Sequence, residues 1–323
     1  MKALSAREIH GNWATLLLPL NADDSIDFGL LGVEIDRFLA AGVNGIYSNG
    51  SAGEFYAQSE DEFDRVNALL ADKCNAAQQP FQVGACHMSP QVSRERIRRA
   101  KALEPSAFQV ILPDWFVPSW DEIRRFLDVM IAEAGPVPLI LYNPPHAKRR
   151  LAPAEWLELA HEFPAVVGIK VPGGDDAWWT AMQPVFPRLS VFIPGHQLAS
   201  GLARGAHGAY SNVACLSPAG AQRWYELCRR DLAAGAAWER KIQAFWLGHV
   251  APLITVEGLA NMAADKAAAA AGGWLPGLSP RLRWPYRGAT DAMVRALATA
   301  ARAEVPDLLA DRFADQTSAP ASS

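Results

Sequence analysis

Pro138-Leu139-Ile140-Leu141-Tyr142-Asn143-Pro144-Pro145, then Val166-Val167-Gly168-Ile169-Lys170-Val171, frame the stretch that decides the fold. Each run is short and apolar on both faces, as a strand buried on both sides of a parallel sheet should be. Residues 153–163 between them read as a helix with proline in its first turn, where a missing N–H costs nothing. Strand, helix, strand is one βαβ unit, and its two strands must run parallel.

The same unit recurs along the chain. Further apolar runs lie at residues 13–18, 45–48, 81–85, 107–112, 190–194 and 207–211. One helix spans 30–41, with Leu30, Leu31, Val33, Phe38 and Leu39 on its apolar face and Gly42 at its end. Another covers 60–77. A third opens at Ser119, with Asp121 and Glu122 in the first turn, where the helix dipole favours negative charge. Eight such units by about residue 230 predict an α/β protein with a (β/α)8 TIM barrel, with a doubly wound sheet as the rival. Helical patterns at 221–234, 238–247 and 259–271 exceed the needs of an eighth barrel helix and predict a C-terminal helical appendage. The expected organisation is a catalytic barrel over 1–230, the appendage over 231–315 and a disordered tail over 316–323, rich in Ser, Ala, Pro and Thr.

Composition narrows the function. The 323 residues carry 30 basic and 34 acidic side chains, a net charge of −4. A pI near 6.0 argues against nucleic acid as a partner, because phosphate contact needs a basic surface. No apolar stretch approaches the ~20 residues that span a bilayer, so no membrane association is expected. The charged opening MKALSAREIHGNW does not read as a signal peptide, which points to the cytoplasm. Cys74, Cys86, Cys215 and Cys228 are widely spaced with no CxxC pair, as reduced cytosolic thiols would be. The histidines include His87, His146, His196 and His207 near strand ends, but none has tight ligand spacing, so no metal is expected. A divalent-metal aldolase on the same barrel stays open as a rival.

Barrel enzymes work at the C-terminal ends of their strands. Lys170 ends one such strand, and lysine is scarce: seven residues against twenty-three arginines. It is either a strand-end cation reaching water or an amine held in an apolar barrel. Desolvation in the second case lowers its pKa, and a neutral amine can attack a ketone to form a Schiff base. Tyr142 ends the preceding strand, where a phenol can donate and accept a proton, or simply pack its ring. Gly50-Ser51-Ala52-Gly53-Glu54 follows the second strand, and the amides of such a turn can grip an anion. Asn49–Gly53 just misses the GxSxG of a serine hydrolase, and neither a Walker A loop nor a GxGxxG is present.

Taken together, G-S-A-G-E after strand two, Y-N-P-P after strand five and G-I-K ending strand six resemble the dihydrodipicolinate synthase / N-acetylneuraminate lyase family of class I aldolases. The opening His10-Gly11-Asn12-Trp13-Ala14-Thr15 is similar to the family's first strand, with Thr15 on the substrate side. Pro194-Gly195-His196-Gln197 sits where the family often has S-G-D-D. Residues 205–213 resemble its G-x-x-G-x-I-S-x-x-x-N stretch, and Arg283-Trp284-Pro285 its R-x-P. The resemblance implies a lyase in which Lys170 forms an imine with pyruvate or another 2-oxo acid, needing no separate cofactor. It also implies that Tyr142 carries protons and that Ser51, with the amides of Ser51 and Ala52, holds the carboxylate. Gly195 and Tyr210 would line the pocket, Tyr210 through its backbone. The family implies a homotetramer, a dimer of dimers.

Three departures bear on the second substrate. Ala52 replaces a second hydroxyl residue. Trp115, in Pro113-Asp114-Trp115-Phe116, replaces a tyrosine that the family's synthases lend to a neighbouring subunit. Ala147 stands where synthases have a carboxylate-binding arginine, with His146 and Lys148 as substitutes; a lysine lacks the planar fork. All three touch proton relay or carboxylate recognition, and none touches the imine step. The expectation is therefore a lyase of aldolase, hydratase-aldolase or dehydratase type. A genuine 4-hydroxy-tetrahydrodipicolinate synthase and a non-catalytic 2-oxo-acid-binding barrel are the alternatives. Trp115, Trp178 and Trp179 hint at a large or apolar second substrate, or else pack at interfaces.

Overall fold

The computed structural model describes residues 2–309, so the tail expected over 316–323 lies outside the described residues. Eight parallel strands close into a barrel in sequence order: β1 Gly11–Thr15, β2 Gly45–Tyr47, β3 Phe81–Gly84, β4 Ala107–Ile111, β5 Leu139–Tyr142, β6 Val166–Lys170, β7 Ser190–Pro194 and β8 Gly208–Tyr210. The helices that follow them are α1 Phe28–Ala41, α2 Glu60–Ala77, α3 Pro90–Ala100, α4 Trp120–Ala134, α5 Pro153–Glu162, α6 Asp176–Ala181, α7 Leu198–Ala203 and α8 Asn212–Leu216. Then come α9 Pro218–Arg230, α10 Leu232–Phe245, α11 Ala251–Thr255, α12 Asn261–Gly272, α13 Asp291–Glu304 and α14 Pro306–Leu309, with one π turn, Trp246–Val250, leading into α11. The doubly wound alternative is excluded by the closure of β8 onto β1.

Local chemistry explains most boundaries. Ser59 and Ser119 each cap a helix and exchange bonds with Glu62 and Glu122 three residues on, the reciprocal box that satisfies two free amides. Two expectations shift. The first strand starts at Gly11 and stops at Thr15; Leu16–Leu18 are buried but leave the sheet, with the Leu17 amide bonded to the buried carboxyl of Glu34 at 2.7 Å. The helix expected over 221–234 is two, broken at Asp231, whose backbone is extended and whose carboxylate caps α10 by accepting from the Ala234 amide.

Two apolar cores result. The larger lies between strands and helices. The smaller fills the barrel itself and contains Trp13, Tyr47, Ile140, Phe192 and Tyr210. Its rings stack closely: Tyr47 and Tyr210 meet edge to face with centroids 4.7 Å apart. The barrel is thus floored by aromatics, and a polar group standing on that floor has lost most of its water. Among the described residues, no helix is long and apolar enough to cross a membrane.

Candidate active site

Hydrogen-bond register fixes who meets whom at the mouth. Tyr142 on β5 pairs with Lys170 on β6, and Lys170 with Phe192 on β7. Thr15 on β1 pairs with Tyr47 on β2. The Lys170 amine points inward and upward into a cage of three tyrosine rings, 4.3 Å from the centroid of Tyr142, 4.8 Å from Tyr47 and 5.1 Å from Tyr210. It donates to the Tyr47 hydroxyl at 3.3 Å. Lys170 as a whole residue is half-buried.

Burial pushes the Lys170 ammonium down to a pKa of about 8, and the negative charge of Asp265 limits the fall. A lysine near 8 keeps a usable neutral fraction at physiological pH, where an ordinary one has almost none. Burial pushes the Tyr142 phenol the other way, to about 12, with a hydrogen bond from Ser51 opposing it. Tyr142 is therefore a protonated donor beside a partly neutral amine. Its hydroxyl lies 3.4 Å from the Ser51 hydroxyl, and either oxygen can donate.

The loop after β2 is held from several directions. Asn49 and Glu54 adopt left-handed backbone, at φ 52° and 51°. Asparagine tolerates this through local hydrogen bonding; glutamate needs external support. Asn49 bonds Gln58 at 2.6 Å and Asn67 at 3.1 Å. Glu54 accepts from Lys266 on α12 at 2.9 Å and from the Arg283 amide at 3.0 Å. Glu54 and Lys266 are both 0% exposed. Neither the Ser51 nor the Ala52 amide donates to another group among the described residues, which leaves both for an incoming anion.

The remaining candidates divide. Thr15 is buried beside Tyr47; burial raises the Tyr47 phenol's pKa and the Thr15 hydroxyl offsets part of that rise. Gly195 begins the turn after β7, and a side chain there would strike Ser211 and Asn212. Tyr210 contributes its side chain to the cage as well as its backbone to the strand: its ring faces Lys170 and its hydroxyl donates to Gln82 at 2.6 Å. His146 is exposed on the rim. Lys148 donates to the Trp115 carbonyl at 2.7 Å and lies over its ring, so its charge is engaged. Trp115 is 73% exposed and touches none of the Lys170 cage. Of the histidines, His196 bonds Asn212 at 2.9 Å and stacks on Trp246. No group of three or more His, Cys, Asp or Glu side chains is placed to hold a metal ion among the described residues.

Sequence reasoning missed Tyr47 and Asp265. Tyr47 was legible as the last residue of β2, in phase with an inward ring. Asp265 was legible only as a carboxylate adjoining Lys266 inside the alanine-rich Asn261–Gly272.

A barrel with a half-desolvated lysine at the end of its sixth strand, a protonated phenol beside it and an anion-ready turn opposite has the layout of a class I aldolase-type lyase. Residues 8–263 match the dihydrodipicolinate synthetase family, and the chain belongs to it. An N-acetylneuraminate lyase of Rhizobium meliloti is 29% identical over 206 residues, 62% of this chain and 67% of that protein. A 4-hydroxy-tetrahydrodipicolinate synthase of Leptothrix cholodnii is 29% identical over 244 residues, 74% of this chain and 81% of that one. In fold, the chain is similar to the 4-hydroxy-tetrahydrodipicolinate synthase of Methylacidiphilum fumariolicum, with a TM-score of 0.80 at 18% identity, covering 93% of this chain and 98% of that one. It is also similar to YagE of Escherichia coli, solved with pyruvate, with a TM-score of 0.79 at 22% identity, covering 91% and 98%.

Proposed function

We propose that this chain is a Schiff-base lyase acting on pyruvate or a related 2-oxo acid through Lys170. The observation that carries the reading is the Lys170 amine in its tyrosine cage, 4.3 Å from the Tyr142 ring and held near pKa 8. The 2-oxo acid carboxylate docks on the Ser51 hydroxyl and the amides of Ser51 and Ala52. The neutral amine adds to the keto carbon, and loss of water with a proton from Tyr142 leaves the iminium. Cleaving the bond beyond the methylene carbon leaves its electron pair on that carbon, conjugated into the iminium as an enamine. The departing fragment gives up its hydroxyl proton to Tyr142 and leaves as an aldehyde. Protonation of the enamine and addition of water then release pyruvate and free Lys170. The only cofactor in this scheme is the lysine itself.

Incubation with pyruvate and borohydride should add the mass of a reduced pyruvyl group, mapped by peptide mass to Lys170. No adduct with any short 2-oxo acid would defeat the proposal. The names of the Leptothrix and Methylacidiphilum relatives favour a second reading, the synthase that condenses pyruvate with aspartate semialdehyde. Ala147 in place of an arginine and Trp115 in place of a tyrosine weigh against it. Condensation at an ordinary enzymatic rate would establish it.

The reading includes a homotetramer, a dimer of dimers. Trp115, Phe116 and Val117 form an apolar patch, 73%, 79% and 61% exposed, that a single chain leaves uncovered. Light scattering checks the mass. The four cysteines are free and buried, which suits a reducing cytoplasm.

A further inference from the structure

We infer that Tyr47 on β2 is a catalytic residue of the imine step. Its hydroxyl oxygen accepts an N–H from Lys170 and so aims the lone pair of the neutral amine at the bound 2-oxo acid. The inference rests on the Schiff-base reading of Lys170.

Three phenols surround the amine, and their hydroxyls have separate partners. Tyr142 stands closest by its ring, with the centroid 4.3 Å from the Lys170 nitrogen, but its hydroxyl is turned to Ser51 at 3.4 Å. Tyr210 sends its hydroxyl to Gln82 at 2.6 Å, and that glutamine is buried. Tyr47 alone gives its oxygen to the nucleophile, at 3.3 Å, the one hydrogen bond of the Lys170 amine among the described residues. Tyr47 is itself buried and packed edge to face on Tyr210, with ring centroids 4.7 Å apart, so its oxygen has a fixed place.

A neutral amine is tetrahedral at nitrogen, and rotation about the Cε–Nζ bond offers its lone pair three staggered positions. Pinning one N–H on Tyr47 removes the position that faces the aromatic floor. The lone pair keeps the two positions turned away from Tyr47, toward the side where Tyr142 meets Ser51. On attack, that pair forms the N–C bond and the carbonyl π pair moves to oxygen. The oxygen takes the Tyr142 proton and Tyr142 recovers one from the nitrogen, which gives the carbinolamine. Tyr47 exchanges no proton in this step: burial raises its phenol well above the ordinary value, and it acts through its lone pair alone. Without the hydroxyl the amine is free to turn its lone pair into the floor, and orientation lost in this way slows attack.

The same bond carries an electrostatic sign. An oxygen that accepts from Lys170 favours the ammonium over the amine, so its loss lowers the lysine's pKa. Besides the tyrosines, the titratable groups that act on Lys170 are Asp265 on α12, Cys86 after β3 and Cys215 on α8. Burial holds the Cys86 thiol up at about 11, the Tyr142 phenol at about 12, and the Cys215 thiol and Tyr210 phenol well above their ordinary values. None of these four changes charge between about pH 7 and 9. Burial raises the Asp265 carboxyl to about 7, so its titration overlaps the lower part of the profile in wild type and variants alike.

The test mixes the chain rapidly with pyruvate from about pH 6 to 10, quenches with borohydride at intervals, and reads adduct formation by mass. It compares the wild type with Tyr47→Phe and with a chain carrying a ring-fluorinated tyrosine in place of Tyr47. Phenylalanine keeps the ring beside Lys170 and loses the oxygen. Fluorine keeps the hydroxyl and weakens it as an acceptor. Tyr47→Phe should lower the plateau rate at high pH by about three- to tenfold, the range of an ordinary hydrogen bond, and move the midpoint toward acid by about half a unit to one unit. The fluorinated chain should fall between. A role in packing alone would change thermal unfolding and move neither number. Either number unmoved in Tyr47→Phe, or a midpoint moved toward alkali, would overturn the inference. Should Tyr47→Phe not fold, the fluorinated chain decides, and wild-type values in it overturn the inference as well. Absence of any adduct in the wild type would overturn the Schiff-base reading itself, which separates the two failures.

Discussion

On the β2 side of the barrel mouth, the loop that faces Lys170 is fastened at several points. Asn49 is bonded to Gln58 and Asn67, and Glu54 to Lys266 and Arg283, with the last pair of contacts reaching more than two hundred residues along the chain. On the β4 and β5 side, Trp115, Phe116 and Val117 stand in water, joined to the rest of the rim through Lys148 and the bond of Asp114 to the Lys148 amide. The half of the site that would hold a 2-oxo acid is built into the fold. The half that would meet the second substrate hangs on two loops. Such a division keeps one chemical step constant while the partner molecule changes, because loops alter without disturbing the core.

The sharpest way to break the comparison is at the built half. Lys170→Ala should abolish borohydride trapping with pyruvate, read by intact mass, because no other described lysine stands in the tyrosine cage. Tyr142→Phe keeps the ring over Lys170 but removes the proton carrier, and should lower kcat by roughly 10²–10⁴-fold with little change in folding. Lys266→Met removes the only cation paired with the buried Glu54 among the described residues and leaves it the Arg283 amide alone. It should cost about 3–5 kcal/mol in a denaturant titration and raise KM for pyruvate, since the Ser51 turn loses its anchor.

Acidity sharpens the same contrast. Burial depresses the folded-state pKa of Lys170 to about 8 from the ordinary 10.5, so the amine is neutral above that value. The trapping rate should rise with pH and level off above about 8. The sign for stability follows from the same shift. Between about 8 and 10.5 the unfolded chain holds the proton that the folded chain has released, so the destabilisation is fully present below 8 and relieved as pH rises. Lys170→Met should therefore raise stability near pH 7 by about 1–3 kcal/mol, discounted because Lys170 as a whole residue is half-buried. The smallest effect belongs to the loop half: Trp115→Ala should leave pyruvate trapping unchanged and shift the mass measured by light scattering toward smaller assemblies.

Alternating apolar runs and helical patterns made the barrel legible before any coordinates. Lys170 and Tyr142 were legible because strand ends of a barrel are where polar side chains do chemistry. Two expectations moved for local reasons: Asp231 breaks a helix that apolar periodicity alone would carry through, and Leu16–Leu18 are buried by loop packing and a Glu34 bond, not by the sheet. Trp115 read either as a contact of the second substrate or as an interface residue, and within one chain it faces solvent.

The sequence by itself determined the alternation of strands and helices, the number of such units and the residue types at each strand end, since these are properties of neighbours along the chain. Only the tertiary structure decided that Tyr47 and Tyr210 complete the cage around Lys170, and that Lys266 meets Glu54. Those pairings join residues dozens to hundreds of positions apart. Their distances are set by barrel register and helix docking, and no local pattern encodes them.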